Sequence, residues 1–231
     1  MVRKGIMLTE KAGLRDCQTD LALDCAATPS EIEARSFAII DSEIPEPRPY
    51  SGRLWSIARR CVHTTGDPAI VCDLRLYEDA LDRGLRALES GCTIITDTTM
   101  AQCALPKRRF DPFGVRVKAL MDLPKIADKA KKLGTTRARA GVLAVCEELE
   151  NAIVVIGTAP TALLSLLSCL DKGAAVPALI VGMPVGFVNA AQSKLLLEKS
   201  LYPHFTLLGR KGGSAVAACC VNAMAELLCS A

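Results

Sequence analysis

The sequence has few aromatic residues, only two histidines and no long uninterrupted apolar run. Aromatic side chains make up 4% of its 231 residues, which leaves little material for stacking nucleic-acid bases. The net charge of +3 is small, because the sequence contains 28 basic and 25 acidic residues. The most apolar stretch, 214–231, is interrupted by Asn222 and Glu226 and is too short to span a bilayer. We therefore expect no nucleic-acid partner and no membrane association, and we predict a core helix over this stretch.

Metal-site and hydrolase motifs are also missing. The eleven cysteines are an odd number, and no two of them have C-x-x-C spacing, so neither a zinc ribbon nor a disulfide framework is indicated. We expect reduced thiols, a cytoplasmic location and no metal bound by the protein. The G-x-S-x-G elbow and the H-E-x-x-H helix do not occur, which disfavours a serine hydrolase or a zinc protease.

The composition that is present is typical of one globular domain. Half of the residues are hydrophobic and 23% are charged. Residues 1–27 carry charges throughout and are predicted to be an N-terminal extension, followed by a single domain over 28–231.

The domain opens with Thr28, Pro29 and Glu31, a capping box that predicts a helix start. Apolar spacing predicts a second helix that ends near His63, and a third over Leu74–Ser90 that leads into the strand TIITD.

The C-terminal half contains the same arrangement three times. AIVVI, ALIV and TLL are short apolar runs, and each is followed by a glycine-rich turn and a helical pattern. The turns are GTAP (157–160), GMPVG (182–186) and GRKGGS (209–214). Strands that alternate with helices predict a single-domain, three-layer α/β fold, with a mostly parallel sheet and helices on both faces.

Ligands of such sheets bind beyond the carboxyl ends of the strands, where all three turns are predicted to meet. Glycine turns and helix N-termini offer backbone N–H donors to carboxylates or phosphates. No turn matches a nucleotide-binding fingerprint, and a purely structural role remains open for each glycine. His63, beside Arg59 and Arg60, is the candidate general acid or base. On local sequence alone a structural role is the commoner one for a single histidine, and His204 is interpreted as a surface or packing residue.

Seven segments together resemble the precorrin-8X methylmutase family of cobalamin biosynthesis, which includes the cobalt-precorrin-8 methylmutases. They are IEARSFAII (32–40), RRCVHTTGDP (59–68), TDTTM (96–100), TTRA (135–138), GTAPTALL (157–164), GMPVGFVNAAQSK (182–194) and GRKGGSAVAA (209–218). They span nearly the whole chain after the extension.

The resemblance implies an isomerase that moves a methyl group from C11 to C12 of a corrin precursor, giving hydrogenobyrinate or cobyrinate. It implies a homodimer that needs no cofactor, with any cobalt arriving as part of the substrate. It places His63 at the catalytic histidine, the proton donor to a ring nitrogen. The substrate-binding residues expected from the resemblance and the turns are Ser36, Arg60, Thr96, Arg137, Gly157, Thr158, Ala159, Gly182, Met183, Pro184, Gly186, Arg210, Lys211, Gly212, Gly213 and Ser214.

Two positions depart from the resembled pattern. Thr158 stands where asparagine is frequent, and Gln192 stands where glutamate is frequent. Two alternatives stay open from the sequence: a carrier that binds the corrin ring without transforming it, and a nucleotide-dependent enzyme that uses the glycine turns for phosphate.

Overall fold

The computed structural model describes residues 27–229. The predicted N-terminal extension, 1–27, falls outside the described residues except for its last position. The two final residues of the predicted domain, 230–231, also fall outside.

A six-stranded sheet forms the middle of the described structure. The strands are β1 (Leu74–Arg75), β2 (Thr93–Thr96), β3 (Arg116–Ala119), β4 (Ile153–Ile156), β5 (Leu179–Gly182) and β6 (His204–Leu207). Their spatial order is β1-β6-β5-β4-β2-β3. All pairings are parallel except that of β1 with β6. The chain leaves β2 for the edge strand β3 and then returns to the other side of β2 as β4, which makes the junction of β2 and β4 a topological switch point.

Ten α-helices surround this sheet in the described part of the chain. They are α1 (Pro29–Glu43), α2 (Gly52–Thr65), α3 (Glu78–Glu89), α4 (Thr99–Cys103), α5 (Lys107–Phe110), α6 (Ile126–Lys132), α7 (Arg137–Val145), α8 (Pro160–Asp171), α9 (Ala190–Glu198) and α10 (Ser214–Cys229). The predicted capping box opens α1, because Thr28 and Glu31 bond to each other's backbone N–H. The predicted C-terminal core helix is α10.

Alternate residues of the central strands supply the two apolar layers. On β4, Ile153 and Val155 pack into one cluster with α2, α3 and α10. Val154 and Ile156 point the other way and pack with α7 and α8. Since successive strand side chains face opposite sides, an unbroken apolar strand must be covered twice. The predicted three-layer α/β fold is confirmed.

The prediction of one helix over Leu74–Ser90 is wrong at its start. Leu74 pairs with Leu207 in the antiparallel edge strand, and the helix begins at Glu78. Leu74 and Leu76 are buried, whereas Arg75 between them is half-buried. This two-residue alternation fits a strand rather than a helix.

The prediction that all thiols are reduced also differs from the structure. Cys146, just after α7, forms a disulfide with Cys169 of α8. The packing of α7 on α8 brings their Cα atoms to 6.7 Å, within the range that a disulfide can bridge. The sequence spacing of these cysteines carries no such signal.

Candidate active site

The three glycine turns converge at the carboxyl edge of the sheet, as predicted. Gly157, at the end of β4, lies so close to Ser214 that a Cβ at position 157 would be 2.6 Å from the Ser214 Cα. Gly213 donates its backbone N–H to the Met183 carbonyl at 3.0 Å, which joins the GRKGGS turn to the GMPVG turn. A side chain at Gly212 would overlap the same carbonyl. These glycines therefore allow the turns to touch through their backbones.

Asp97, immediately after β2, binds the GTAP turn across the switch point. Its carboxylate accepts the backbone N–H groups of Gly157 at 3.2 Å, Thr158 at 2.7 Å and Ala159 at 2.8 Å. The side chain is fully buried. Burial raises the pKa of Asp97, and the three N–H donors oppose that rise. The backbone donors that the sequence offered to a ligand at this turn are thus used by a carboxylate of the protein itself.

Hydroxyl groups from three segments meet next to this carboxylate. The Ser214 Oγ lies 3.0 Å from the Thr158 Oγ1 and 3.3 Å from the Thr98 Oγ1. Thr158 is exposed, whereas Ser214 is buried beneath it. Thr96 is fully buried and donates its hydroxyl to the Thr98 carbonyl at 3.0 Å. Thr158 therefore presents the exposed hydroxyl of this group, while Thr96 supports it from inside the sheet.

His63 lies in the last turn of α2 and is exposed. Its ring meets the Phe37 ring edge-on, with 5.5 Å between centroids and an angle of 71°. The Arg59 and Arg60 guanidinium carbons lie 4.3 and 4.9 Å from the centre of the same Phe37 ring. Phe37 of α1 thus contacts the histidine and both arginines of RRCVH, a clustering that the sequence did not reveal.

Contacts between α2 and α10 place His63 at the edge where the turns meet. Cys61 contacts Cys220 in the middle of α10, and Asp67, just beyond α2, forms an ion pair with Lys211 just before α10. Because residue numbers rise along α2 as they fall along α10, the helices run in opposite directions. The C-terminal end of α2 therefore lies beside the N-terminal end of α10, near the GRKGGS turn.

Arg60 and Ser36 are already engaged within the protein. The Arg60 guanidinium forms ion pairs with Glu33 and Glu226, and its side chain is only 16% exposed. Ser36 is half-buried and donates its hydroxyl to the Ile32 carbonyl at 2.8 Å. These geometries give both residues a role in joining or shaping helices near His63.

The other predicted site residues divide into exposed and covered groups. Arg137, Arg210 and Lys211 are exposed cations, and the Arg210 guanidinium lies 5.3 Å from the centre of the Phe187 ring. Half-buried positions are Ala159, Gly186, Gly212 and Gly213, and buried ones are Gly157, Gly182, Met183 and Pro184. The start of the GMPVG segment is therefore buried at the carboxyl edge of the sheet, and Phe187, which follows it, has 83% of its surface exposed.

Comparison with known proteins supports the methylmutase prediction over the carrier and nucleotide-dependent alternatives. A sequence model of precorrin-8X methylmutase matches residues 31–227. The cobalt-precorrin-8 methylmutase of Salmonella typhimurium is 42% identical over 201 residues, which cover 85% of this chain and 94% of the relative. The precorrin-8X methylmutase of Pseudomonas aeruginosa is 41% identical over 174 residues, covering 74% and 83%.

The chain belongs to the precorrin-8X methylmutase family.

A solved structure of the family supports the fold assignment. The crystal structure of precorrin-8X methylmutase from Thermus thermophilus superposes with a TM-score of 0.80 at 38% identity, covering 86% of this chain and 96% of that one. As a family member, this chain is a methyl-shifting isomerase of cobalamin biosynthesis. In residues 27–229 of this methylmutase, no helix combines the length and apolarity needed to cross a membrane.

Sequence reasoning missed two buried ionisable groups of this methylmutase site. Asp97 is one, and its only signal was an acidic residue directly after a buried strand. Lys194 of α9 is the other: it is fully buried, and its Nζ donates to the Lys211 carbonyl at 2.5 Å. Burial lowers the pKa of Lys194 to about 8. Lys194 therefore supports the GRKGGS turn from inside the protein.

Proposed function

We propose that this methylmutase moves a methyl group from C11 to C12 of a corrin precursor, converting precorrin-8X to hydrogenobyrinate or the cobalt-containing precursor to cobyrinate. Support comes from relatives of both names, which match most of the chain. Substrate and product are isomers, since one carbon–carbon bond breaks and another forms within the same molecule. The reaction therefore needs no methyl donor and no redox cofactor, and any cobalt belongs to the substrate.

The site suits a flat macrocycle with carboxylates at its rim. Arg137 and Arg210 are exposed cations able to form charge-assisted hydrogen bonds with carboxylates. Lys211 is also exposed, and it would exchange its ion pair with Asp67 for one with a substrate carboxylate. The N-terminal end of α10 adds the positive end of a helix dipole. Phe187 and Val188, which are 83% and 78% exposed, offer an apolar surface to the face of the ring.

We assign His63 the role of proton donor to a ring nitrogen. Protonation withdraws electron density from the π system through which the methyl group moves, so it lowers the barrier to migration. The observation that carries this assignment is the exposure of His63 at the edge where the turns converge. His204, the other histidine, is buried in β6 and bonds to the Tyr202 carbonyl and the Glu198 carboxylate.

The test is His63→Ala, with Thr64→Ala as an exposed neighbour for comparison. Loss of a proton donor should lower the single-turnover rate at least ~100-fold while leaving binding of the corrin precursor within a few-fold. Binding and conversion are both followed in the visible spectrum. Undiminished turnover by His63→Ala would remove the histidine from the mechanism. Binding without any conversion by the unaltered protein would instead favour the carrier alternative.

The metal content of the substrate is tested by offering the metal-free and the cobalt-containing precursors separately to the same preparation. Conversion of one, both or neither is read from the change in ring absorption. The nucleotide-dependent alternative would be favoured if NAD or ATP stabilised the protein against thermal unfolding and a corrinoid did not.

We further propose that the enzyme is a cytoplasmic homodimer. Ile32 and Ile39 lie seven residues apart on α1 and are 52% and 57% exposed, so they share one face of the helix. A second copy of the chain would cover this apolar area. Light scattering should give twice the mass of one chain, and a monomer at micromolar concentration would contradict the assembly.

A further inference from the structure

Three cysteine thiols meet behind the active-site edge, where α2 packs on α10. The Cys61 Sγ lies 3.5 Å from the Cys220 Sγ and 3.6 Å from the Cys219 Sγ. All three sulfurs lie within 4.8 Å of one another. Cys61 and Cys220 are fully buried, and Cys219 is 7% exposed. We call these three residues the thiol cluster, and the methyl shift gives it no role.

The spacing of these sulfurs matches what a single metal ion requires. A metal about 2.3 Å from each of three thiolates holds the sulfurs about 4 Å apart when all four atoms share a plane. The distances from the Cys61 sulfur to the Cys220 and Cys219 sulfurs are a few tenths of an ångström shorter than this. Small side-chain rotations would therefore move the three sulfurs far enough apart to admit an ion. Sulfur–sulfur separations of this size are also much longer than a disulfide bond.

The ligand set favours a soft ion with three ligands. Within residues 27–229, no histidine or carboxylate joins the thiol cluster as a fourth ligand. Structural zinc is almost always four-coordinate, whereas soft thiolate ligands also select Cu(I).

Cys219 is the least buried of the three thiols: its residue is 7% exposed, whereas Cys61 and Cys220 are fully buried. It is therefore the natural first contact for an entering ion.

We propose that the thiol cluster is a binding site for Cu(I). As three copper–sulfur bonds form, the S–H bonds of the three thiols break and their protons leave to solvent, and no electron is transferred because copper enters and stays as Cu(I). Two ligands come from α10 and one from α2, so the bound ion fastens together the two helices that flank the active-site edge. Cys61 lies two residues before His63, which connects occupancy of this site to the helix that carries the proposed proton donor.

The test uses the full-length, freshly reduced protein without oxygen. Cu(I) is supplied as its acetonitrile complex and is then challenged with bathocuproine disulfonate, a chromophoric Cu(I) chelator. We expect one Cu(I) per chain to resist the chelator. Cys61→Ser and Cys220→Ser should each bind it on the order of 100-fold more weakly or worse, since even outer-shell losses reach that size. Cys92→Ser, a buried thiol outside the cluster, and Cys103→Ser, an exposed one, should retain it.

X-ray absorption on the copper-loaded, unaltered protein gives an answer that does not depend on the variants folding. Three sulfur neighbours at one distance are expected. Two sulfurs, or a nitrogen or oxygen in the shell, would overturn the site as described. Equal retention by Cys220→Ser and the unaltered protein would overturn it as well, as would tighter binding of Zn²⁺ than of Cu(I).

Discussion

The Asp97 carboxylate accepts the backbone N–H of Thr158 at 2.7 Å, from the end of β2 to the turn after β4. This bond crosses the switch point of the sheet, so it fixes the position of the Thr158 hydroxyl relative to Ser214 and the rest of the edge. A buried carboxylate with several N–H donors is costly to alter, because neither an amide nor water reproduces its acceptors.

The substitution Asp97→Asn should lower the free energy of unfolding by about 2–4 kcal/mol, because an amide nitrogen would face N–H groups that now have an oxygen acceptor. Activity of the folded fraction should fall as well, because the GTAP turn loses its anchor. Urea unfolding followed by circular dichroism measures the first effect. Asp128→Asn, at an exposed carboxylate on α6, is the control, and equal stability of the two variants would contradict the anchoring role of Asp97.

Gly157→Ala tests the backbone contact between the GTAP and GRKGGS turns. A Cβ there would lie 2.6 Å from both the N and the Cα of Ser214, so the start of α10 must move. We expect a loss of about 1–3 kcal/mol from overpacking together with weaker substrate binding. Gly134→Ala places its Cβ in open space, although at a φ of +59°, and should cost only about 1 kcal/mol of backbone strain without changing KM. A Gly157→Ala protein with unaltered KM would show that the contact does not shape the site.

Arg60→Met separates a role in stability from a role in substrate binding alone. The change leaves Glu33 without the Arg60 cation, whereas Glu226 keeps its ion pair with Arg109. We expect a loss of about 1–2 kcal/mol, reduced from the fully buried case because both carboxylates are partly exposed. Arg53→Met is a matched control.

Arg53 also binds two carboxylates, Glu78 and Asp82, but its side chain is 47% exposed. Its loss should change the free energy of unfolding by less than about 1 kcal/mol. If chemical denaturation finds the two methionine variants equally stable, the ion pairs of Arg60 do not stabilise the fold. A raised KM of the Arg60→Met protein would then indicate that Arg60 binds the substrate.

Lys194 should make stability rise with pH in alkaline solution. Its pKa falls from 10.5 to about 8 in the folded protein, so between these values the unfolded chain binds a proton that the folded one does not. Stability therefore increases as pH rises through this window, and the cost of burying the charged amine persists below pH 8. Unfolding in urea at pH 7.5 and 9.5 should give a more positive change in stability for the unaltered protein than for Lys194→Met. Burial raises the pKa of Cys92 to about 12, which lowers stability at the alkaline end in both proteins alike, so the difference between the two slopes reports Lys194. The same slope in both proteins would mean that Lys194 is not its source.

The main architecture could be predicted because it depends on local patterns. The apolar run Ile153–Ile156 requires cover on both faces, and the three glycine turns after such runs located the active edge. The capping box at Thr28 was readable since its partners lie three residues apart. The edge strand Leu74–Arg75 was missed because two residues are too short for a period to register against the helix that follows.

Long-range partnerships could not be read from the sequence. Asp97 and Thr158 are 61 positions apart, and Cys61 and Cys219 are 158 apart. Nothing near either residue indicates its partner, since the fold alone brings them together. For the same reason the sequence predicts a substrate contact for Arg60 and does not reveal Glu33 and Glu226, which form ion pairs with it.

The two edges of the sheet have a consequence for handling the protein at high concentration. An exposed edge strand can pair with another chain and begin aggregation. On one side, β1 covers β6 with only two residues, which gives an incoming strand little to pair with. On the other side, β3 carries Arg116 and Lys118, and charged residues on an edge strand oppose such pairing. The parallel core is thus shielded at both ends against fibril-like growth.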